Sequence, residues 1–499
     1  MTADSHSSTS APGPAGSSAP NAQDLHRRLA DAQRTWKAPS VVAVVVRNGT
    51  VTWSGSVGAA VVDVDADADA TVEGLAAGTD VSYRIGSITK TFTAVLVLQL
   101  RDAGLLDLDD PLGKHLPGTR HADLTLRRLL AHVSGLQREP VGDLWVNLDV
   151  PTRESLLTGF ERAEQVLPAH AAIHYSNLAY AILGEVVARA TGGTWEQALH
   201  SRLLGPLSLT RTGVSPTAPR AQGYLTEPWA DAVRPEPDMV TGAAGPAMQL
   251  WSTAQDLARW AAFLADPAPE VLAVTTLEEM RQPVVVFDPH AFTLAWGGGL
   301  MLLRKGERVL HGHGGAMPGF LAGCYAYRDD TERAGAVVLT NTGRAADPEG
   351  LAAELLTQAL DADPRPAPAW SASAVPDSVR DLLGPWWAEG TEFLVEWREG
   401  ALTMLSRGGN ERRRTRLERT GADAWQAVAG REQGERLRVV RDDQNGVVRM
   451  LFAGYAYTRD PRTFAELTRP ELTRPELTRP ELTRPELTRP ELTRPELTR

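Results

Sequence analysis

The sequence predicts an α+β fold followed by a small β-barrel, and three observations carry that prediction. Strand-like runs stand at both ends of the first two thirds of the chain, around Asn48-Gly49 and from 292 to 341. Helical apolar patterns fill the stretch between them. A proline-rich break, DADPRPAPAWSAS (361–373), then precedes a strand-rich remainder. Strands at both ends with helices between them favour an antiparallel sheet flanked by helices, plus an all-helical region. The amino-terminal hairpin would complete the sheet that the carboxy-terminal strands begin.

The elements follow in order. Residues 1–24, MTADSHSSTSAPGPAGSSAPNAQD, hold too little apolar surface to pack and read as a disordered tail. They have no apolar run and no basic start, so they are not a secretory signal, and the expected location is cytoplasmic. The domain at 25–360 opens with a helical pattern (25–35). SVVAVVVRNGTVTWSGSVG follows, a hairpin turning at Asn48-Gly49. Helices are expected at 87–103, 124–132, 176–190 and 253–264. Strands are expected at 292–302, 308–315, 321–328 and 333–341, and a last helix at 348–360. After the linker at 361–373, residues 374–464 carry FLVEWREGALTML, AWQAVAG, RLRVVRD and VVRMLFAGYAYTR, with turns at Gly400 and Asn445-Gly446. The run ERRRTRLER (411–419) reads as the solvated face of a strand. In the tail at 465–499 the pentapeptide ELTRP repeats from Glu466 onward. Proline every fifth residue forbids a continuous helix, so this is an extended tail, with a docking array as the alternative.

Composition narrows the function. The 499 residues hold 51 Lys and Arg against 62 Asp and Glu, a net charge of −11. Nucleic acid needs a basic surface, so it is not the expected partner. The most apolar run, AVLVLQL (94–100), falls far short of the ~20 residues of a membrane span. One cysteine, Cys324, excludes an internal disulfide framework and reads as buried and inert. GxSxG, HExxH and Walker loops are missing. His311 and His313 share a strand face, but no third ligand is evident, so neither a metal nor another cofactor is expected.

One stretch does carry chemistry: RIGSITKTFTAVLVLQL. Ser87 and Lys90 stand three apart ahead of an apolar helix, which puts both on one face. A serine hydroxyl becomes a nucleophile when a base takes its proton. A lysine in a dry pocket is such a base, because burial disfavours its charged form. In HYSNLAYAILGEVV, Tyr175 and Asn177 stand at a loop-to-helix junction, and Asn177 also reads as that helix's N-cap. His313-Gly314-Gly315 lies on an expected strand, where small residues let a substrate backbone approach. His132 reads as a structural turn residue. Trp145, Trp251 and Phe320 are candidates for the acyl pocket or for the core.

Ser87-x-x-Lys90, Tyr175-x-Asn177 and His313-x-Gly315, in that order, resemble the three motifs of the serine β-lactamase and penicillin-binding-protein superfamily. The Tyr-x-Asn form is similar to the class C branch, with its esterases, D-aminopeptidases and DD-carboxypeptidases. LRRLLAHVSGL, DLDDPLGKHLP, WSTAQDLARW and GGAMPGF extend the likeness over about 30–345, and the smaller segment resembles the lipocalin-like β domains of some members. The resemblance implies a β-lactamase-like fold and an acyl-enzyme on Ser87, with Lys90 and Tyr175 as a proton relay and Tyr175 activating the water. Asn177 would orient Lys90 and the substrate, and the N–H groups of Ser87 and Ala316 would hold the oxyanion. Gly315 and His313 would line the substrate. The substrate implied is a small ester, amide or peptide, its pocket walled by loops 137–170 and 215–250. Many β-lactamases carry Lys where this chain has His313, which favours an esterase or peptidase. A β-lactamase, a DD-peptidase, a penicillin sensor without turnover and a scaffold with a vestigial site stay open, as does the oligomeric state. An imidazole at its usual pKa of ~6.5 would gain a proton below about pH 6 and then favour substrate carboxylates.

Overall fold

The computed structural model describes residues 22–62, 75–142, 144–329, 331–365, 372, 374–410 and 413–461. The expectations for residues 1–21 and for the ELTRP repeats fall outside these. The chain divides into two compact units, Met1–Ala367 and Pro368–Arg499.

In the first unit, helix α1 (Ala22–Trp36) starts three residues before the expected pattern, so 22–24 belong to it rather than to a tail. Its buried residues, Leu25, Leu29, Ala32 and Trp36, keep helical spacing. Eight strands form one sheet: β1 (Ser40–Arg47), β2 (Thr50–Gly58), β3 (Val285–Val286), β4 (Leu294–Trp296), β5 (Met301–Lys305), β6 (Arg308–Met317), β7 (Phe320–Arg328) and β8 (Arg333–Thr340). Their order is β2-β1-β8-β7-β6-β5-β4-β3. β1 pairs antiparallel with β8, Val41 opposite Thr340, so the amino-terminal hairpin completes the sheet as expected. Every residue of β1 is buried. Val42, Val44 and Val46 enter the core under the helical region, while Val41, Ala43 and Val45 enter the core under α1 and the last helix of the unit. A strand covered on both faces loses its apolar–polar alternation for this reason.

The stretch 292–302 was expected as one strand and is two. Gly297-Gly298-Gly299 breaks it: Gly299 has φ +90°, and a Cβ on Gly297 would stand 2.1 Å from the Met280 carbonyl oxygen. The backbone turns there to donate from Gly298 to Met280 at 2.9 Å.

Four more helices frame the site: α2 (Thr89–Asp102), α3 (Asn177–Thr191), α4 (Ala254–Ala265) and α5 (Pro348–Ala362). The helix expected at 124–132 spans only Leu126–Leu130. Thr125 caps it through the Arg128 N–H, and His132 turns the chain away at φ +58°. Among the described residues, no helix is long and apolar enough to cross a membrane.

The second unit is an eight-stranded antiparallel meander from Gly384 to Tyr457. Trp387 and Thr458 exchange backbone hydrogen bonds of 2.8 and 2.9 Å, joining its first and last strands into a small barrel. Trp386, Trp425, Leu437 and Met450 fill it. In the strand Thr415–Gly421, which takes up the end of the basic run, Thr415 and Leu417 point inward while Arg416 and Glu418 are exposed, the solvated strand face that was expected.

Candidate active site

The short strand Ser82–Arg84 pairs with Trp251–Thr253 and delivers the chain to a tight turn, Gly86–Ile88, that runs into α2. Gly86 has φ +49°, and a Cβ on it would stand 2.6 Å from Ala316 N. A Cβ on Gly315 would stand 2.0 Å from the Ile85 carbonyl oxygen. β6 therefore approaches the Ser87 turn through two glycines that tolerate no side chain. The glycines of the His313 strand admit the protein's own backbone here, besides any substrate.

Ser87 is half-buried at the mouth of this turn, and Lys90, one helical turn on, is fully buried. Lys90 Nζ lies 2.6 Å from Asn177 Oδ1, 2.9 Å from the Ala247 carbonyl oxygen and 3.0 Å from Ser87 Oγ. Burial drives its pKa well below the ordinary lysine value; Glu139 opposes that shift and Arg138 adds to it. The first two partners only accept. A neutral amine donates its two hydrogens to them and turns its lone pair to the third partner, the Ser87 hydroxyl.

Tyr175 and Asn177 arrive from the start of α3. Ser176, not Asn177, is the N-cap: its side chain accepts from the Ala179 N–H. Asn177 is thereby free to bridge, accepting from Lys90 and donating to Glu139 at 2.8 and 3.1 Å. His132 fixes this junction, since its Nδ1 accepts from the Ser176 N–H at 3.1 Å and its ring lies 4.3 Å from that of Tyr175. Burial raises the Tyr175 phenol above its ordinary pKa, with the nearby Ser87 hydroxyl pulling the other way. The phenol stays protonated at neutral pH.

His313 is 3 % exposed. Its Nδ1–H donates to the Gly314 carbonyl oxygen at 2.5 Å, and Nε2 is buried without a hydrogen-bond partner. Burial, with Lys90 adding to it, pushes its pKa down to about 3. That direction runs against the expected gain of a proton below pH 6, because burial disfavours the charged imidazole. His311 donates to the Leu264 carbonyl oxygen at 2.8 Å, a partner of the fold. Cys324 is buried, and burial pushes its thiol up to about 12.

A cavity of about 360 Å³ opens over Ser87, with Tyr175, His313, Gly315 and Ala316 in its lining. Sequence reasoning did not find its other walls. Phe287 follows β3, Leu294 and Trp296 come from β4, Asp347 caps α5 and Glu349 lies in its first turn. The loop 137–170 contributes Arg138 alone, and the loop 215–250 contributes nothing. Trp145, Trp251 and Phe320 do not line it; Trp145 is exposed, and the other two are buried with ring centroids 5.5 Å apart. Glu349 accepts from the Tyr325 hydroxyl at 2.6 Å, and burial raises its carboxyl pKa. A Cβ on Gly314 would stand 2.1 Å from that carboxyl group. Arg138, its side chain 63 % exposed, stacks 5.0 Å from the Tyr175 ring centroid. No motif singles out Arg138, Trp296 or Glu349, because their distance from Ser87 along the chain closes only on folding.

Residues 23–361 match the family model described as Beta-lactamase. Residues 375–459 match a model described as a domain of unknown function, DUF7586. Penicillin-binding protein 4 of Amycolatopsis lactamdurans is 35 % identical over 271 residues, covering 49 % of this chain and 69 % of that one. The chain spans 40–59 % of the length of the next three curated relatives. A D-stereospecific amidohydrolase from Streptomyces sp. superposes with a TM-score of 0.56 at 27 % identity, covering 66 % of this chain and 97 % of the other. The D-amino acid amidase of Ochrobactrum anthropi SV3, solved with L-phenylalanine amide, superposes with a TM-score of 0.57 at 25 % identity, covering 68 % and 98 %.

Proposed function

Because the chain belongs to the Beta-lactamase family, whose members compared above include amidases and a penicillin-binding protein, we propose that it is a serine hydrolase forming an acyl-enzyme on Ser87 with a small amide or ester. The observation that carries the reading is the bond set of Lys90: two acceptor-only partners and the Ser87 hydroxyl at 3.0 Å. As Ser87 Oγ attacks the carbonyl carbon, its proton passes to Lys90 Nζ. The oxyanion lies between the N–H groups of Ser87 and Ala316, fixed donors of a kind that supplies ~2.7–4 kcal/mol. Protonated Tyr175 hands its proton to the leaving nitrogen or oxygen and regains one from Lys90. Water then attacks the ester carbon, its proton goes to Lys90, and Lys90 passes that proton to Ser87 Oγ, which leaves as the hydroxyl. Lys90 thus takes over the water activation that the family resemblance gave to Tyr175, because the phenol is too weakly acidic to be ionised at neutral pH. Asn177 orients Lys90 and the substrate amide.

His313 carries no charge, and Glu349 lines the same cavity against Gly314. This wall favours substrates without a free carboxylate at that end, hence amides and esters over penicillin-like acids. The test is labelling with a fluorophosphonate, followed by turnover of amino-acid amides, short esters and nitrocefin. Labelling at Ser87, lost in Ser87→Ala, with amides or esters turned over faster than nitrocefin, is the expected result. Labelling that survives Ser87→Ala removes the reading.

A further inference from the structure

A second cavity, of about 470 Å³, shares no lining residue with the one over Ser87. Its size falls in the ~300–1,000 Å³ range of small-molecule sites. Its walls are largely apolar, with Leu156, Ala181, Val214, Met239, Pro246 and Trp251 among them. Its charged groups are mostly matched: Arg153 donates to Glu185 at 2.7 Å, and Arg220 Nη1 holds both oxygens of Asp238 at 2.9 and 2.8 Å. Glu196 is exposed to solvent.

Arg84 is the exception. It lines the cavity at 4 % exposure. Its Nη1 is buried without a partner, and its guanidinium makes no hydrogen bond or ion pair among the described residues. Trp251 faces the guanidinium at 4.9 Å, an attraction that supplies no lone pair. Desolvation acts against its proton, the Asp238 carboxylate supports it at a distance beyond an ion pair and the Arg220 charge opposes it, so its pKa falls only to about 10 and it remains a cation at neutral pH. A buried, charged guanidinium with no acceptor is costly for a fold to keep.

We propose that this cavity is a second ligand site, which takes a monoanionic amphiphile: a carboxylate or similar headgroup on an apolar body. The headgroup pairs with Arg84, and the body lies along Leu156, Val214, Met239 and Pro246. The buried cation without a hydrogen-bonded or ion-paired partner sets the charge of the ligand, and the apolar walls set its body. The site also touches the catalytic machinery. Arg84 lies three residues before Ser87, and Pro246, which lines the cavity, precedes Ala247, whose carbonyl oxygen accepts from Lys90. The proposal does not rest on the role of Ser87.

The experiment titrates decanoate into the full chain by calorimetry, with 1-decanol as the uncharged probe of equal length. One saturable decanoate site is expected, with decanol bound roughly tenfold more weakly, the scale of a lost charge-assisted hydrogen bond. Arg84→Met should abolish that preference for decanoate. Val214→Trp should fill the cavity and abolish both isotherms even if Arg84→Met fails to fold. Covalent blockage of Ser87 by the fluorophosphonate should leave decanoate binding intact. No saturable binding, an undiminished isotherm in folded Arg84→Met or Val214→Trp, or loss of binding on blocking Ser87 would each overturn the proposal.

Discussion

The wall beside Ser87 and the wall of the second cavity each bury one basic side chain, and the two behave in opposite ways. Lys90 has three oxygen partners and burial lowers its pKa well below the ordinary lysine value; Arg84 has none and keeps its charge. The difference lies in the side chains. An amine starts at a pKa of ~10.4 and becomes a base on moderate desolvation, whereas a guanidinium starts at ~12.5 or above and spreads its charge over three nitrogens. The same dry interior thus makes a proton acceptor of one residue and a fixed anion-binding charge of the other.

The most severe way to break this comparison is to exchange the chemistry at position 90. Lys90→Ala should slow acylation of Ser87 by ~10²–10⁴, the usual share of a positioned base, measured as the burst rate with a chromogenic ester. Lys90→Arg should rescue none of it, because a guanidinium stays protonated; recovery to within tenfold would mean that Lys90 acts by charge and not as a base. The wild-type profile of kcat/KM sharpens the same point. The base works when neutral, so the rate rises with pH through the depressed pKa of Lys90. It should then level off before the ordinary lysine range and stay level into the alkaline range, because the Tyr175 phenol is held above its ordinary value. A rise continuing to pH ~10, the ordinary lysine value, would contradict the burial argument.

The reciprocal exchange has a smaller effect. Arg84→Lys should make decanoate binding pH-dependent, roughly tenfold weaker at pH 9 than at pH 6, as the desolvated amine loses its proton; wild type should bind nearly alike at both. Smaller still is Glu349→Gln, which should raise nitrocefin turnover relative to a short ester by roughly 2–5-fold, the scale of one partly solvated charge pair. The smallest effect is an expected absence of change. Between pH 8 and pH 5, KM for a carboxylate substrate relative to its methyl ester should stay constant at the His313 end, since an imidazole held near 3 does not titrate there. A tenfold improvement below pH 6 would restore a protonating His313.

Local rules explain what the sequence made legible. Asn48 and Gly49 both adopt positive φ, at 49° and 75°, as an Asn-Gly hairpin turn requires. The valine-rich run at 41–46 read as one arm of that hairpin, and the i,i+3 spacing of Ser87 and Lys90 put them one turn apart whatever packed around them. The expected single strand at 292–302 failed where Gly297-Gly298-Gly299 met the Met280 carbonyl, a contact between distant segments that no window of sequence contains. The pocket walls failed for the same reason, being built mainly from 287–301 and 346–349 rather than from the loops nearest the motifs.

By itself, then, the sequence determined which residue types stand within one helical turn or one strand period of each other: the nucleophile, its neighbour Lys90, the Tyr175-Asn177 step and the glycines of the His313 strand. These follow from backbone periodicity, a local property. Solvation was decided by the tertiary structure alone. A lysine becomes a base, a histidine loses its titration near pH 6 and an arginine stands without an acceptor only because of what distant segments place around them, and the energy of a charge depends on everything within several ångströms of it, wherever that lies along the chain.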